Sequence, residues 1–211
     1  SLFMRARRYD EAIAAFSDAL AKVENTDAVM RLYEAKYRAG QRDDAFDGLA
    51  KWVARKPEDL SAQRLLASAH RRAGRLDEAI KLNEHLLTLR PSDAVVLNNL
   101  AGLYQKKGDP RALSFAERAH RQAPNHPVML DTLGWLLVST GEVERGLNLL
   151  RQAFTRAADS AEVRYHLAVA LNLSGRKDEA RQELEKALES GDAFDGIAEA
   201  KRLLQALNSA Q

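Results

Sequence analysis

Apolar residues recur along this chain at the spacing of amphipathic helices, and short polar turns separate the helices. The pattern is clearest from Leu130 to Gly146, where apolar side chains crowd one broad side of a helix until Gly141 interrupts them. A second helical pattern follows immediately. Because no stretch alternates apolar and polar residues as a strand would, the sequence predicts an all-α fold.

The interruption at Gly141 is one of a series with a fixed period. Turn glycines stand 33 or 34 residues apart, at Gly40, Gly74, Gly108, Gly141 and Gly175. A small residue recurs with the same spacing in the helix after each turn, at Ala12, Ala45, Ala79, Ala112, Gly146 and Ala180. A period of this length indicates a stacked array of helix pairs, in which a small side chain lets two helices approach closely.

These markers, together with prolines at 57, 91 and 124 that end second helices, set the expected boundaries. We expect helices at 8–22, 26–39, 42–55, 59–73, 76–89, 93–107, 110–122, 127–140, 143–156, 161–174, 177–189 and 194–208. The predicted organisation is one array over residues 1–211, with a half repeat at 1–24, repeats at 25–57, 58–91, 92–124, 125–158 and 159–192, and a capping helix within 193–211. The apolar face of that cap is assigned to Phe194, Ile197, Ala200, Leu204 and Leu207.

The first helix has no complete partner. Tyr9 begins a second-helix motif, so the end of its partner is expected at residues 3 to 6 and the chain is expected to be the C-terminal part of a longer protein. This leaves an apolar edge around Phe3, Ile13 and Phe16, through which two copies are able to associate.

Charge and composition narrow the partner classes. Lys and Arg number 32 against 30 Asp and Glu, a net charge of +2, which is too balanced to favour nucleic acid. No apolar run reaches the length of about 18 residues needed to span a bilayer, so no direct membrane insertion is expected. No catalytic or phosphate-binding motif and no metal-ligand spacing of histidines occurs, so neither an enzyme nor a cofactor is expected.

The repeats resemble the tetratricopeptide repeat. One copy carries Leu133-Gly134, Gly141, Gly146, Leu150 and Ala153, and another carries Leu100-Ala101, Tyr104, Gly108, Ala112, Ala116, Ala119 and Pro124. The resemblance implies a right-handed superhelical solenoid of antiparallel helix pairs. Two local departures are Asn83, where the pattern prefers a bulky apolar residue, and a turn at 109–111 that is one residue short.

The same resemblance implies that first helices line a concave groove that binds a peptide or a partner helix. Projection of their inward positions gives a predicted groove of Arg31, Arg38, Arg64, Arg71, Asn98, Asn99, Asp131, Thr132, Trp135, Tyr165, His166 and Asn172. Arginines pair with carboxylates, amides bond an extended backbone, and Trp135 and Tyr165 anchor an apolar side chain. The interpretation that these residues bind no partner stays open, since exposed arginines are usually solvated and Trp135 beside Gly134 also fills space between repeats.

A narrower resemblance covers the C-terminal half. Leu97-Asn98-Asn99-Leu100-Ala101, Asp131-Thr132-Leu133-Gly134-Trp135 and Arg164-Tyr165-His166-Leu167-Ala168 look like the end of the bacterial repeat lipoproteins associated with PEP-CTERM/exosortase sorting and exopolysaccharide production. This implies a scaffold for assembly in the cell envelope or periplasm. Two alternatives stay open: the substrate-docking region of a larger enzyme such as a glycosyltransferase, and RNA binding, which Arg64, Arg71 and Arg72 favour and the near-neutral charge opposes.

Overall fold

The computed structural model describes residues 8–209, and these residues form twelve α-helices with no strand among them. In chain order they are α1 Tyr9–Lys22, α2 Thr26–Arg38, α3 Arg42–Arg55, α4 Leu60–Arg72, α5 Leu76–Leu89, α6 Ala94–Lys106, α7 Arg111–Gln122, α8 Pro127–Ser139, α9 Val143–Arg156, α10 Ala161–Leu173, α11 Lys177–Glu189 and α12 Ile197–Ser209. The predicted all-α fold of helix pairs is confirmed. The first eleven helices begin and end within one residue of expectation.

The turn inside each helix pair needs glycine for a conformational reason. Gly141 has φ +93°, in the left-handed region that other residues rarely adopt. This places the amide of Glu142 where it donates to the carbonyl oxygen of Leu137 at 2.8 Å and closes the end of α8. The other four turn glycines, Gly40, Gly74, Gly108 and Gly175, also have positive φ.

The small residue after each turn sets how closely the two helices of a pair approach. The contact between α8 and α9 is tightest at Gly146, where an added Cβ would lie 2.5 Å from the carbonyl oxygen of Gly134 and 2.6 Å from Cγ2 of Val138. Neither neighbour is the far end of a flexible chain, so no side chain fits here. The position at which the sequence pattern requires a small residue is therefore a point where the backbones of α8 and α9 touch.

First helices begin at side-chain caps that the sequence analysis did not identify. Asn25, Asp59, Asp93 and Ser160 each accept a hydrogen bond from an amide in the first turn of the following helix. Asp59 does more than cap, because its Oδ2 also accepts from Nε1 of Trp52 at 2.8 Å and from Oγ1 of Thr26 at 2.7 Å. It therefore ties the starts of two repeats to one buried tryptophan.

Contacts between helices group the chain into two compact units, with the boundary between Pro91 and Ser92. This boundary coincides with one of the predicted repeat boundaries. Unit 1 contains α1 to α5 around a core that includes Tyr33, Leu49 and Trp52. Unit 2 contains α6 to α12, and its largest core cluster includes Leu150, Tyr165, Leu171 and Leu184. The single array over 1–211 stays a prediction, and residues 3 to 6, with Phe3, lie outside the described residues.

The capping helix differs from its prediction at one end. It begins at Ile197 and not at 194, because Gly196 has φ +96° and breaks the helical path. Phe194 consequently belongs to the connection before α12, whereas Ala200 and Leu207 are buried against α11 as expected of a cap. Asn83, where the repeat pattern prefers a bulky apolar residue, is buried. Its side-chain amide has a hydrogen-bond partner, since Nδ2 donates to the carbonyl oxygen of Ala79 at 2.8 Å.

Candidate functional site

Unit 2 brings several predicted groove residues onto one surface. Its first helices pack side by side, α6 next to α8 and α8 next to α10. Asp131 and Trp135 project from α8, and Tyr165 and His166 project from α10. We call these four residues the aromatic site.

A buried polar pair forms the floor of the aromatic site. His166 and Asp131 are 7% and 9% exposed, and Nδ1 of His166 lies 2.9 Å from Oδ1 of Asp131. Because an ionised carboxylate only accepts, Nδ1 is the donor in this bond and the ring is held in one orientation. The sequence projection placed both residues toward a partner, but the structure uses their polar atoms on each other.

Trp135 lies on this fixed imidazole. The two rings stack with centroids 4.4 Å apart and planes 16° apart, and Trp135 itself is only half-buried. Its indole also meets the ring of Tyr165 at 5.9 Å. The result is a rigid aromatic surface, which itself loses little conformational entropy when it binds an apolar or aromatic side chain of a partner.

Tyr165 is buried because the chain's own connection between α11 and α12 covers it. The ring of Phe194 packs against that of Tyr165 with centroids 5.5 Å apart. A Cβ added at Gly196 would lie 2.5 Å from Cε1 of Tyr165, so the backbone at Gly196 rests directly on the ring. This burial raises the pKa of the Tyr165 hydroxyl.

Three charged residues border the aromatic site. Nζ of Lys106, the last residue of α6, forms an ion pair of 2.9 Å with Oδ2 of Asp195, next to Phe194. Glu162, in the first turn of α10, is exposed as a residue, but desolvation of its carboxyl raises its pKa, and the charges of Asp131 and Asp195 act in the same direction. Lys106 thus supplies a place for one carboxylate.

The remaining predicted residues of unit 2 are less closely joined to this cluster. Thr132 and Asn172 are half-buried on α8 and α10, and Asn99 is exposed on α6. Asn98 is half-buried, and its Oδ1 has no hydrogen-bond partner among the described residues. An acceptor of this kind is suited to a backbone amide of a bound chain.

The four predicted arginines lie in unit 1, and two of them form ion pairs within α2. Arg31 forms a 2.6 Å ion pair with Asp27, and Arg38 forms one of 2.5 Å with Glu34, each within its own helix. Arg64 is half-buried and Arg71 is exposed. Spacing of four residues along α2 explains the first two pairs without any ligand.

A different arginine organises the aromatic residues of unit 1. Arg72 donates from Nη2 to the hydroxyl of Tyr33 at 3.2 Å and lies 4.9 Å from the ring centroid of Tyr37. These side chains line a cavity of about 190 Å³ together with Arg42, Phe46 and Arg75. Unit 1 therefore presents a cationic and aromatic surface, but its rings are occupied by its own guanidinium groups.

Within residues 8–209, no three His, Asp or Glu side chains come together as ligands for a metal ion. None of the described helices is both long and apolar enough to cross a membrane.

Sequence reasoning missed Lys106, Glu162, Phe194 and Asp195. A readable signal existed, since the segment from Gly191 to Gly196 places an aromatic and two acidic residues between glycines, in a stretch where the repeat pattern stops. The apolar side chain of Phe194 also fitted the period of the next helix, and for that reason it was assigned to the cap.

The sequence of the chain matches a repeat family and a longer bacterial protein. The sequence model of the tetratricopeptide repeat matches residues 30–94 and 132–195, together more than half of the chain. A tetratricopeptide repeat-containing protein of Pseudomonas aeruginosa is 27% identical over 177 residues, which are 79% of this chain and 29% of that protein. The chain thus spans less than a third of that relative's length.

Solved structures share the fold. A tetratricopeptide repeat protein of Thermus thermophilus aligns with a TM-score of 0.67 and 24% identity, over 85% of this chain and 98% of the other. YrrB, described as a tetratricopeptide repeat protein with an unusual peptide-binding site, aligns with a TM-score of 0.61 and 17% identity, over 90% of this chain and 100% of its own. Identities this low establish similarity of fold alone.

Proposed function

The chain belongs to the tetratricopeptide repeat family, and on that premise we propose that it is a non-catalytic scaffold that holds a partner peptide at the aromatic site of unit 2. Proteins with this repeat generally mediate protein–protein interaction. The observation that carries the proposal is the stack of half-buried Trp135 on His166, which Asp131 fixes in place. A surface that is both aromatic and rigid has the character of an interaction hot spot.

The chemistry around the stack favours an extended chain over a small molecule. Asn98 offers a buried acceptor without a partner, and Thr132 and Asn172 add polar groups on the same first helices. Such groups bond the N–H and C=O of a peptide backbone, whereas the aromatic rings receive one of its side chains.

The test is a selection of random twelve-residue peptides displayed on phage against the purified chain. Peptides enriched on the wild type are expected to lose at least tenfold in affinity for Trp135→Leu, which keeps an apolar side chain against the core but removes the stacking surface. Leu173→Ala, at an exposed position of α10, is the matched control and is expected to bind as the wild type does. Equal affinity for the wild type and Trp135→Leu would place the binding site elsewhere.

We further propose that this scaffold serves assembly in the bacterial cell envelope, in exopolysaccharide production or protein sorting. Support comes from the resemblance of the segments around Leu97–Ala101, Asp131–Trp135 and Arg164–Ala168 to envelope-associated repeat lipoproteins. Fractionation of cells that express the full-length gene product tests the location. Recovery in the periplasmic or membrane-anchored fraction is expected, and recovery only in the cytoplasm would contradict this part of the proposal.

A further inference from the structure

The connection formed by residues 190–196 is longer than its role as a linker requires. The connections at 56–59, 90–93, 123–126 and 157–160 each join one helix pair to the next in four residues, whereas this one takes seven. Four residues suffice to start the next first helix, so the additional length serves something else. It carries the chain back over α10 and onto Tyr165.

Within the aromatic site, this connection makes the contacts expected of a bound peptide. Phe194 places its ring against that of Tyr165, with centroids 5.5 Å apart, and Tyr165 in turn meets the ring of Trp135 at 5.9 Å. The following residue, Asp195, pairs with Lys106 across the site at 2.9 Å. Gly196 then rests its backbone on the Tyr165 ring, where any side chain would clash. One aromatic anchor, one acidic group and one close backbone approach thus occupy the site.

We propose that the 190–196 connection is a built-in occupant of the aromatic site, and that the partners of this site are peptides that present the same pair, an aromatic residue followed by an acidic one. This inference rests on the proposed function, and it adds the chemical class of the partner. Binding then requires that the connection leave the site.

The ion pair between the connection and α6 is weak. The Lys106–Asp195 pair is solvent-exposed, with side chains 50% and 77% accessible, and exposed pairs of this kind contribute little. Gly191 and Gly196 have positive φ and bracket the segment, so they supply backbone freedom at both ends.

Departure of the connection does not require α12 to undock. Ala200 and Leu207 are buried in the core of unit 2, and Nη2 of Arg181 on α11 donates to the carbonyl oxygen of Leu207 at 3.1 Å. These side-chain contacts lie on the helix itself. The amide of Ala200 also donates to the carbonyl oxygen of Gly196 at 2.8 Å, so Gly196 stays with α12 while residues 190–195 move. The cap therefore remains in place while the site is open.

The first experiment measures binding of a fluorescein-labelled peptide of residues 190–196, Ser-Gly-Asp-Ala-Phe-Asp-Gly with blocked ends, by fluorescence anisotropy. In the wild type the tethered segment competes at an effective concentration on the order of millimolar, so the free peptide binds poorly. Phe194→Ala combined with Asp195→Ala is expected to raise its affinity about tenfold or more. Asp192→Ala, in the same connection, is the matched control and is expected to bind as the wild type does.

A second experiment reverses one charge and leaves the aromatic contacts intact. Lys106→Glu, at an exposed position, is expected to reverse the preference of the site, so that Ser-Gly-Asp-Ala-Phe-Lys-Gly binds at least about threefold more tightly than the original peptide. In the wild type, which has Lys106, the original peptide is expected to bind more tightly than the peptide with lysine. This variant also decides the question if the double substitution fails to fold.

The inference is overturned if the double variant binds the peptide no better than the wild type, or if the charge of the peptide does not affect binding. If the double variant does not bind this peptide, while phage-selected peptides still bind the double variant in a Trp135-dependent manner, the proposed function stands and the assigned partner class fails. Loss of all Trp135-dependent binding would remove both.

Discussion

Asp59 joins three parts of unit 1 through one side chain. It accepts from the amide of Ala62 at the start of α4, from Trp52 and from Thr26. Burial acts to raise the pKa of the Asp59 carboxyl, but the hydrogen bonds from Trp52, Ala62 and Thr26 outweigh it, and the pKa lies below its ordinary value of 3.8. Asp59 therefore stabilises the fold fully above pH 3.8, and this contribution is lost as the pH falls through the lowered value.

We expect Asp59→Ala to lower the free energy of unfolding by about 2–3 kcal/mol, from a lost helix cap and an unpaired indole N–H on buried Trp52. Asn25→Ala removes a cap from α2 without touching a tryptophan, and is expected to cost about 1 kcal/mol. Urea unfolding of both variants compares the two costs. Equal losses would show that the bond to Trp52 contributes nothing.

Asp109 gives a second prediction for a single residue, at the short turn before α7. A side-chain hydrogen bond from Arg111, together with that residue's amide, lowers the pKa of the Asp109 carboxyl to about 2. Its stabilising effect should therefore persist from neutral pH to below pH 3.8 and disappear as the pH falls through about 2. Titration of the carboxyl carbon by NMR should show this midpoint, and Arg111→Ala should move it upward. A wild-type midpoint near 3.8 would contradict the assigned contact.

At the scale of the helix pair, glycine has two separate physical roles. Gly141 supplies a left-handed turn. Gly146 has no side chain and so allows close contact with Gly134 and Val138. Gly102, in the middle of α6, has neither role, because an added Cβ meets nothing within 4 Å. The three positions predict different responses to the same substitution.

We expect Gly146→Ala to reduce the free energy of unfolding by about 1–3 kcal/mol, since α8 and α9 must move apart. Gly102→Ala should instead increase it by about 0.5–1 kcal/mol, because alanine favours a helix interior. Thermal unfolding followed by circular dichroism measures both. A neutral Gly146→Ala variant would mean that the pair relaxes without cost.

At the scale of the whole molecule, the two tryptophans report on different units. Trp52 lies in the core of unit 1 and Trp135 lies in the aromatic site of unit 2. In repeat arrays, each repeat contacts only its neighbours, and stability is approximately a sum of the repeats' own stabilities and these neighbour contacts. The effect of a substitution in one unit is therefore expected to be largest within that unit.

Labelling with 5-fluorotryptophan gives two ¹⁹F resonances, because the chain contains two tryptophans. During urea unfolding, Asp59→Ala is expected to shift the midpoint of the Trp52 resonance more than that of Trp135. Gly146→Ala should do the reverse. Identical shifts of both midpoints in both variants would indicate that the whole chain unfolds as one cooperative body.

The sequence by itself determined the helices, their turns and their pairing. Gly141 and Gly146 act through backbone conformation and size, which are local properties that repeat with the chain, and so their positions could be read directly. The family followed from the same period. The residues of the first helices that are accessible to a partner could be predicted only in part. Projection onto a helix shows which side a residue faces, but not which other segment covers it.

Only the tertiary structure decided which groups are available to a partner. It pairs Asp131 with His166, pairs Arg31 with Asp27, and brings Asp195 to Lys106 from 89 residues away along the chain. Phe194 shows the reason most clearly, since its spacing fits the next helix while its side chain lies on Tyr165. Helical period follows from neighbouring residues, whereas contacts across unit 2 depend on where distant segments pack.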